Sequence, residues 1–333
     1  MTSKVFTQSA YLLLGRKLNF SEIERALSDY HVMERDEEFS NWMLAGPRLM
    51  IVIRHDDNEV KVEIDLVNQR WPDEVGCTEE DLKALCGGPD LNHFGRLFPS
   101  HSLERAISQA WDWPDARATV SGHQGFIRLR SVEASIGRSD GYSNSKVLSI
   151  SDALAELAGI SEIAARLIKL DGVLCYFNPS GISLKTSAAL KLAVEHYKID
   201  NTHLIDVWSH VEMYSLEDAE GWLAMITSGM HQAGLPDHEA CFETTKYDRG
   251  EVYDFLRNAS LYTIDKGQIV VDEDVTTGPG NTRWSAHCGV EPLTSPNREV
   301  IRWLPEGLPE GLPDNDRATL ELLRRSSEVN HIS

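Results

Sequence analysis

An acidic segment, 272–276, follows the apolar run 269–271 and has the residue types best suited to catalysis. Magnesium-dependent phosphatases that form a phosphoaspartate begin with this Asp-x-Asp-x-Thr pattern. In that chemistry Asp272 would attack phosphorus, Asp274 would handle the proton, and the metal ion would screen the charge. The mechanism also needs a downstream basic residue and a second acidic pair. No lysine follows Asp274, and the remaining sequence is too short for a doubly wound sheet, so an ordinary turn after a strand is the favoured interpretation.

Histidines are the next candidates, as metal ligands. One group recurs every seven residues but falls on a predicted helix, a loop and a strand, so it shares no face: His196, His203 and His210. His231 and His238, with Glu239, could approach each other across the turn at 234–236. Because no His-Glu-x-x-His pattern occurs, hydrogen-bonded structural imidazoles are the simpler interpretation, and the sequence predicts no metal and no cofactor.

Other catalytic signatures are missing from the sequence. It contains neither a Gly-x-Ser-x-Gly nucleophile motif nor a glycine-rich phosphate-binding loop. A site assembled from distant parts of the chain is still compatible with this pattern, since such sites are recognised by geometry. Its members would be Asp272, Asp274, His238 and Glu239. The sequence therefore leans against an enzyme without excluding one.

The charge balance favours a particular class of partner. The chain has 333 residues and a net charge of −20, from 32 basic and 52 acidic side chains. Such an excess repels phosphate backbones, so nucleic-acid binding is disfavoured and a basic protein partner is expected. No apolar stretch approaches the roughly 20 residues of a membrane helix, so no membrane association is expected. The 5 cysteines are scattered without a pattern, which favours a reducing compartment, the cytoplasm.

Two places are candidates for an interaction surface. Trp111 and Trp113 close a predicted helix, and two indoles so close together could form a binding ledge or cap the core beneath the loop. The core interpretation is favoured for them because large aromatic side chains are mostly buried. Asp237, Glu239 and Glu243 add negative charge next to a glycine-flanked turn, and this edge is a candidate contact for a basic partner.

Segments of period two and period 3.6 alternate along the chain and predict an α+β protein, with helices layered on largely antiparallel sheets. Two ferredoxin-like halves packed into one unit are one arrangement that fits. The predicted strands are 10–14, 48–54, 59–67, 123–129, 173–177, 203–211, 240–245 and 268–271. The predicted helices are 20–30, 78–85, 101–111, 150–170 with a break near Gly159, 187–197, 219–230 and 251–262.

The predicted domain organisation is one α+β unit over residues 1–303, with a possible internal boundary in the polar stretch 135–146. Residues 304–315 repeat a Leu-Pro-Glu-Gly pattern, and proline and glycine at that density predict an extended spacer. A short helix and tail, 316–333, follow. This tail is a candidate for a homo-oligomer contact.

Two local patterns, with the order of the elements, resemble a bacterial family, domain of unknown function 4261 (DUF4261). The first is Trp-Pro-Asp-Ala at 113–116, ahead of the strand that begins at His123. The second is Thr-Ser-Gly-Met at 227–230, continued by Gly234 and by Asp-His-Glu at 237–239. The resemblance spans roughly residues 8 to 290. It implies one continuous α+β unit and an ordinary strand end at 272–276, but no activity, cofactor or catalytic residue.

Taken together, these features favour a non-catalytic, cytoplasmic protein-binding function of the immunity or adaptor type, because the charge suits a basic surface and no catalytic set is visible. A metal-dependent hydrolase with a site assembled from distant residues is the alternative. A structural or self-associating role through the tail is a third possibility.

Overall fold

The computed structural model describes residues 5–36, 46–55, 58–74, 101–133, 149–200, 202–215, 221–267, 270–294 and 298–306. The chain divides into two compact units, Met1–Trp208 (unit 1) and Ser209–Ser333 (unit 2). The predicted boundary at 135–146 and the predicted tail helix at 316–333 lie outside the described residues. The predicted spacer is described only at its start, where Leu304 and Pro305 end a strand.

Unit 1 is built on an antiparallel sheet of seven described strands in the order β2-β3-β4-β5-β1-β6-β7. The strands are β1 (Val5–Leu14), β2 (His31–Asp36), β3 (Arg48–His55), β4 (Asn58–Val67), β5 (Gly125–Glu133), β6 (Val173–Asn178) and β7 (Ser183–Lys185). The predicted hairpin is β3–β4. Its second arm alternates apolar and polar residues, which point to opposite faces of the sheet, and the polar Glu63 and Asp65 are buried as well. This sheet carries the charged and aromatic side chains considered below.

The helices of unit 1 cover both faces of that sheet. They are α1 (Phe20–Ala26), α2 (Ser102–Gln109), α3 (Ala116–Val120), α4 (Ile150–Leu167), α5 (Ser187–Asp200) and α6 (Ile205–Trp208). One face packs against α2 and α3 through a buried cluster that includes Tyr11, Leu13, Trp71, Leu103, Phe126 and Phe177. The opposite face, where Val60 points, packs against α4.

Unit 2 is built on a sheet of six described strands in the order β11-β12-β13-β10-β9-β8. The strands are β8 (His210–Ser215), β9 (Trp222–Ser228), β10 (Asp237–Glu243), β11 (Val275–Thr277), β12 (Arg283–Cys288) and β13 (Val300–Pro305). Neighbouring strands are antiparallel except β10 and β13, which run parallel. A 3₁₀ turn, Met230–Ala233, joins β9 to β10.

The long helix α7 (Arg249–Lys266) packs on one face of this sheet. Asp248 begins the helix, because its carboxylate accepts hydrogen bonds from the N–H groups of Gly250 and Glu251. The core beneath the helix contains Val252, Leu256, Phe242, Trp284, Ile301 and Trp303. The opposite face carries a smaller apolar cluster of Ala224, Ile226, Cys241 and Leu293, among buried charged residues.

The α+β prediction is confirmed: helices pack on two largely antiparallel sheets. The strand order of each sheet differs from the four-stranded βαββαβ arrangement of a ferredoxin-like half, because β2 to β5 form a meander in unit 1 and β10 pairs in parallel with β13 in unit 2. Within the described part of the chain, no helix combines the length and apolar composition that crossing a bilayer requires.

Four element predictions are wrong. The strand predicted at 268–271 is not formed at its described residues, Val270 and Val271, and the strand of this region, β11, begins only at Val275. Residues 222–228 form strand β9 rather than part of a helix, and 205–208 form helix α6 within a predicted strand. Helix α4 runs without a break through Gly159. That glycine lets the helix approach the sheet, since a Cβ there would lie 3.3 Å from a methyl group of Val60. The helix predicted at 78–85 lies outside the described residues.

Candidate functional site

The carboxylate of Asp237 is the centre of a buried polar site where the 3₁₀ turn enters β10. Its Oδ1 accepts hydrogen bonds from the Met230 N–H at 3.0 Å and from the Thr227 hydroxyl at 3.2 Å. Its Oδ2 accepts a hydrogen bond from Arg298 Nε at 2.7 Å, and His231 Nδ1 lies 3.7 Å away. Burial alone would raise the pKa of Asp237, but Arg298, His231 and the Met230 N–H lower it to about 2. Asp237 is therefore a fixed anion that holds the turn to the sheet.

His238 points to the α7 face of the sheet. The Trp303 indole N–H donates a hydrogen bond to His238 Nδ1 at 3.1 Å, and the two rings are nearly parallel, with centroids 6.4 Å apart. An accepting Nδ1 places the proton of the neutral ring on Nε2, which has no hydrogen-bond partner among the described residues. Burial lowers the pKa of His238 to about 4, against a smaller raising effect of Asp237. The imidazole is therefore neutral at pH 7.

Glu239 points to the opposite face, because successive strand residues alternate. Its Oε1 accepts a hydrogen bond from the Leu293 N–H at 2.9 Å, and its Oε2 lies 3.1 Å from Arg302 Nη2. Burial raises the pKa of Glu239, and Arg302 and the Leu293 N–H oppose that rise only in part. His238 and Glu239, adjacent in sequence, thus point away from each other and form no joint site.

Asp272 and Asp274 serve the turn that precedes β11. Asp272 Oδ1 accepts a hydrogen bond from the Cys288 N–H at 2.9 Å, and Asp274 Oδ2 accepts one from the Val271 N–H at 2.8 Å. The strand register places Cys288 opposite residue 301 of β13, which is in turn opposite His238, so Cys288 and His238 are two strand spacings apart, about 10 Å. The expected catalytic residues Asp272, Asp274, His238 and Glu239 are therefore not brought together.

Metal binding and thiol chemistry find no support in the described part of the chain. No group of three or more His, Cys, Asp and Glu side chains is placed there to hold a metal ion. Burial and the nearby Asp272 and Asp274 carboxylates raise the pKa of the Cys288 thiol, so this thiol is protonated and weakly nucleophilic at pH 7. No observation on the described residues therefore supports the alternative function, a metal-dependent hydrolase.

A cleft of about 450 Å³ opens at the end of the sheet beside the Asp237 site. Its lining includes Pro236, Cys288, Gly289, Arg298, Val300 and Ile301. The Arg298 side chain is 4% exposed, and its guanidinium group is engaged by Asp237 and by the Thr294 carbonyl. The cleft therefore presents no uncompensated charge from that arginine to a ligand.

Two of the three acidic residues expected to contact a basic partner, Asp237 and Glu239, are not at the surface. Asp237 and Glu239 are fully buried, each facing an arginine of the same unit, because the strand that carries them is central in the sheet. Glu243 lies at the end of that strand and forms an ion pair with Lys246 at 2.8 Å. Asp237 and Glu239 therefore contribute to the interior of unit 2 and not to a contact with a partner.

Trp111 and Trp113, the tryptophans proposed as an interaction surface, have different environments. Trp113 is half-buried and packs against the cluster beneath α2 and α3, as the core interpretation predicts. Trp111 is 54% exposed, so the core interpretation is wrong for this residue. Asp112 and Asp115, which follow in the same loop, are also exposed. The loop Trp111–Asp115, called the tryptophan corner below, therefore presents one exposed indole and two exposed carboxylates.

A comparison with known proteins finds one family model that matches part of unit 2. Residues 226–304 match the family model described as "Domain of unknown function (DUF4261)". The chain resembles DUF4261. No curated protein and no solved structure matches the chain. The match includes the Thr227–Met230 pattern but not the Trp113–Ala116 pattern, and it covers less of the chain than the expected 8 to 290.

Within the DUF4261 match, sequence reasoning missed the two arginines that neutralise the buried carboxylates, Arg298 and Arg302. Arg302 could have been found, since its alternation with Ile301 and Trp303 predicts a strand with one charged inward residue. Arg298 precedes the strand and has no such signal. Its role depends on the pairing of β13 with β10, a contact between distant segments.

Outside the DUF4261 match, unit 1 has a second buried charge network that was also missed. Arg128 Nε lies 2.9 Å from Asp65 Oδ2, and Arg130 Nη2 lies 2.7 Å from the same oxygen and also contacts Glu63. Burial would raise the pKa of Asp65, but Arg130 and Arg128 lower it. The signal was available: carboxylates at 63 and 65 and guanidinium groups at 128 and 130 alternate with apolar residues in two strands.

Proposed function

We propose that the protein is a non-catalytic binding protein that contacts a basic surface of a partner protein through the tryptophan corner. The observation that carries the proposal is the 54% exposure of Trp111, in the same loop as the exposed side chains of Asp112 and Asp115. Tryptophan is enriched at binding hot spots, because one rigid ring buries a large area on contact. An indole face beside carboxylates suits arginine, which can stack on the ring and pair with a carboxylate.

The corner has the fixed geometry that a binding site needs. The Trp113 N–H donates to the Ala110 carbonyl at 2.9 Å, and the Ala116 N–H donates to the Trp113 carbonyl at 3.0 Å. The Trp113 ring is packed against the core of unit 1. Because this turn is held in place, little conformational entropy is lost when Trp111 is covered by a partner.

The charge of the whole chain supports the same type of partner. A net charge of −20 attracts basic proteins and speeds their association, and it opposes contact with phosphate backbones. We assign the protein to the cytoplasm. An immunity or adaptor role is the type of function that fits. In support, Cys175, Cys241 and Cys288, the cysteines within the described residues, are free thiols.

The test compares Trp111→Ala with Tyr262→Ala, a matched control on α7 whose aromatic side chain is 47% exposed. Tagged full-length wild type and both variants are used to capture partners from the source organism, and a partner recovered in stoichiometric amount is purified. We expect Trp111→Ala to weaken its binding by about 30-fold or more, as for a hot spot. Tyr262→Ala should bind as the wild type does. Equal affinity of the two variants, or recovery of the protein alone, would contradict the proposal.

A further inference from the structure

Residues Val271–Thr277, called the acidic edge below, form the border of the unit 2 sheet. Strand β11 is the last strand of that sheet, and β12 is its neighbour on one side. The turn before it extends the ladder, because the Glu273 N–H donates to the Ala286 carbonyl and the Ala286 N–H donates to the Asp274 carbonyl. Among the described strands, none pairs with the other side of β11.

The hydrogen-bond register leaves part of this backbone facing outward. In an antiparallel ladder, every second pair of opposite residues exchanges backbone hydrogen bonds. Asp274 is hydrogen-bonded to Ala286, so the next hydrogen-bonded pair, two residues further along β11, is Thr276 with Trp284. The N–H and C=O groups of Val275 and Thr277 therefore point away from β12. An outward row of this kind is a template for one more strand.

Every side chain of the acidic edge is exposed. Two are apolar, Val271 at 60% and Val275 at 44% exposure. Three are acidic (Asp272, Glu273 and Asp274), and none is basic. Natural sheet edges are commonly protected by lysine, but this one presents only negative charge.

The charge identifies the occupant. A second copy of the chain would bring three carboxylates against three carboxylates, so self-pairing is opposed. An anionic membrane or nucleic acid is repelled for the same reason. An extended segment with lysine or arginine alternating with apolar residues would satisfy the outward backbone groups, the valines and the carboxylates together.

We propose that the acidic edge binds a basic, extended segment of another protein by strand addition to β11. This surface belongs to the DUF4261-matched unit, whereas the tryptophan corner belongs to unit 1. The two proposals are independent: Trp111→Ala should leave strand addition unchanged, and loss of either surface can be measured without the other.

The test uses the full-length protein and synthetic peptides. The probe is an alternating lysine–valine heptapeptide, compared with a glutamate–valine peptide and with a lysine–valine peptide whose pairing amides are N-methylated. We expect saturable binding of the first peptide alone, with slower amide hydrogen exchange at Val275 and Thr277. Glu273→Lys should weaken that binding at least tenfold, whereas Glu195→Lys, the same change at an exposed site on α5, should not.

Several outcomes would overturn the proposal. One is that the lysine–valine peptide fails to bind at millimolar concentration, and another is that the N-methylated or the glutamate–valine peptide binds equally well. Amide hydrogen exchange at Val275 and Thr277 that does not change on peptide addition is a further contradicting outcome. Equal affinity for wild type and Glu273→Lys would also contradict the proposal. Circular dichroism of the variant confirms its fold, and the N-methylated peptide tests backbone pairing on the unmodified protein.

Discussion

Asp237 and Arg298 form a buried ion pair in unit 2 in which both partners also hold backbone: the carboxylate holds the 3₁₀ turn, and the guanidinium group holds the Thr294 carbonyl. A buried pair of this kind contributes to stability only while both partners are present, because either charge alone remains desolvated. Asp237, which the sequence offers as a contact for a basic partner, is thus explained by its structural contacts.

Asp237→Asn is expected to lower the free energy of unfolding at pH 7 by about 3–5 kcal/mol, because it leaves Arg298 buried without its counter-charge. Urea unfolding followed by tryptophan fluorescence measures the loss. The matched control is Asp272→Asn, an exposed carboxylate that accepts one backbone N–H, where a loss of about 1 kcal/mol is expected. Similar losses in the two variants would show that the buried pair contributes nothing beyond a hydrogen bond.

His238 should make unit 2 sensitive to acid. Its pKa is about 4 in the folded chain and 6.5 ordinarily, so between these values the unfolded chain binds a proton that the folded chain does not. The contribution of the neutral His238 ring to the free energy of unfolding is therefore complete above pH 6.5. It is lost as the pH decreases towards 4, by at most about 1.4 kcal/mol per pH unit. Glu239, also on β10, points to the other face and does not contact the ring.

The measurement is the urea midpoint at pH 7.0, 5.5 and 4.5 for wild type and His238→Gln. The variant keeps an acceptor for the Trp303 indole N–H but cannot take up the proton, so its stability should depend less steeply on pH. His196→Gln, at an exposed histidine of α5, is the control and should have the wild-type slope. Identical slopes for His238→Gln and wild type would rule out His238 as the acid-sensitive group.

At the scale of elements, the turn before β11 contains a residue in an unfavourable backbone conformation. Glu273 has φ +67°, and its N–H and the carbonyl of Asp274 pair with the same residue, Ala286. This is a glycine-type β-bulge with glutamate at the left-handed position. The left-handed conformation costs an L-residue about 1–2 kcal/mol, whereas glycine adopts it freely.

Glu273→Gly should therefore stabilise the protein by up to about 1 kcal/mol, the relief of strain exceeding the entropy that glycine adds to the unfolded chain. Thermal unfolding monitored by circular dichroism gives the change. The control is Glu59→Gly, at an exposed position within β4, where glycine should destabilise by roughly 0.5–1 kcal/mol. A lower melting temperature for Glu273→Gly would show that the glutamate side chain makes a contact worth more than the strain.

Local pattern was sufficient for some elements and not for others. The β3–β4 hairpin was predicted to within one residue at each end, because strict alternation is a local signal. Helix α7 was predicted at 251–262, inside its actual bounds Arg249–Lys266. Strand β9 was mistaken for a helix, because a continuous apolar run buried on both faces has no period. Gly159 was read as a break, because its reason, contact with Val60, lies on another element.

The candidate sites show the same limit. The sequence identified His238, Glu239 and Asp237 as a polar group but not their directions, and strand alternation then separated His238 from Glu239. The partners of the buried carboxylates are Arg302, on β13, and Arg298, just before it, and no local pattern encodes the parallel pairing of β13 with β10. Exposure of Trp111, in contrast to Trp113, depends on how α2 and α3 pack and was not predictable from spacing.

At the scale of the whole molecule, the net charge of −20 predicts measurable self-repulsion at pH 7. Within the described residues, both buried networks pair their carboxylates with arginines, so these networks add little to the net negative charge. Repulsion among exposed charges is screened by salt, whereas buried pairs are screened much less. Salt should therefore act on this chain mainly through its excess surface charge.

Raising KCl from 10 to 150 mM shortens the screening length from about 30 Å to about 8 Å. We expect the melting temperature at pH 7 to rise by a few degrees, because the folded chain concentrates its negative charge and so gains more from screening than the unfolded chain. Near pH 5.0, the isoelectric point expected from the composition, the net charge should be close to zero, and the same addition of salt should change the melting temperature little. Differential scanning calorimetry of the wild type under the four conditions provides the comparison. An equal rise at both pH values would attribute the salt effect to hydration or ion binding instead of net charge, because only repulsion disappears at the isoelectric point.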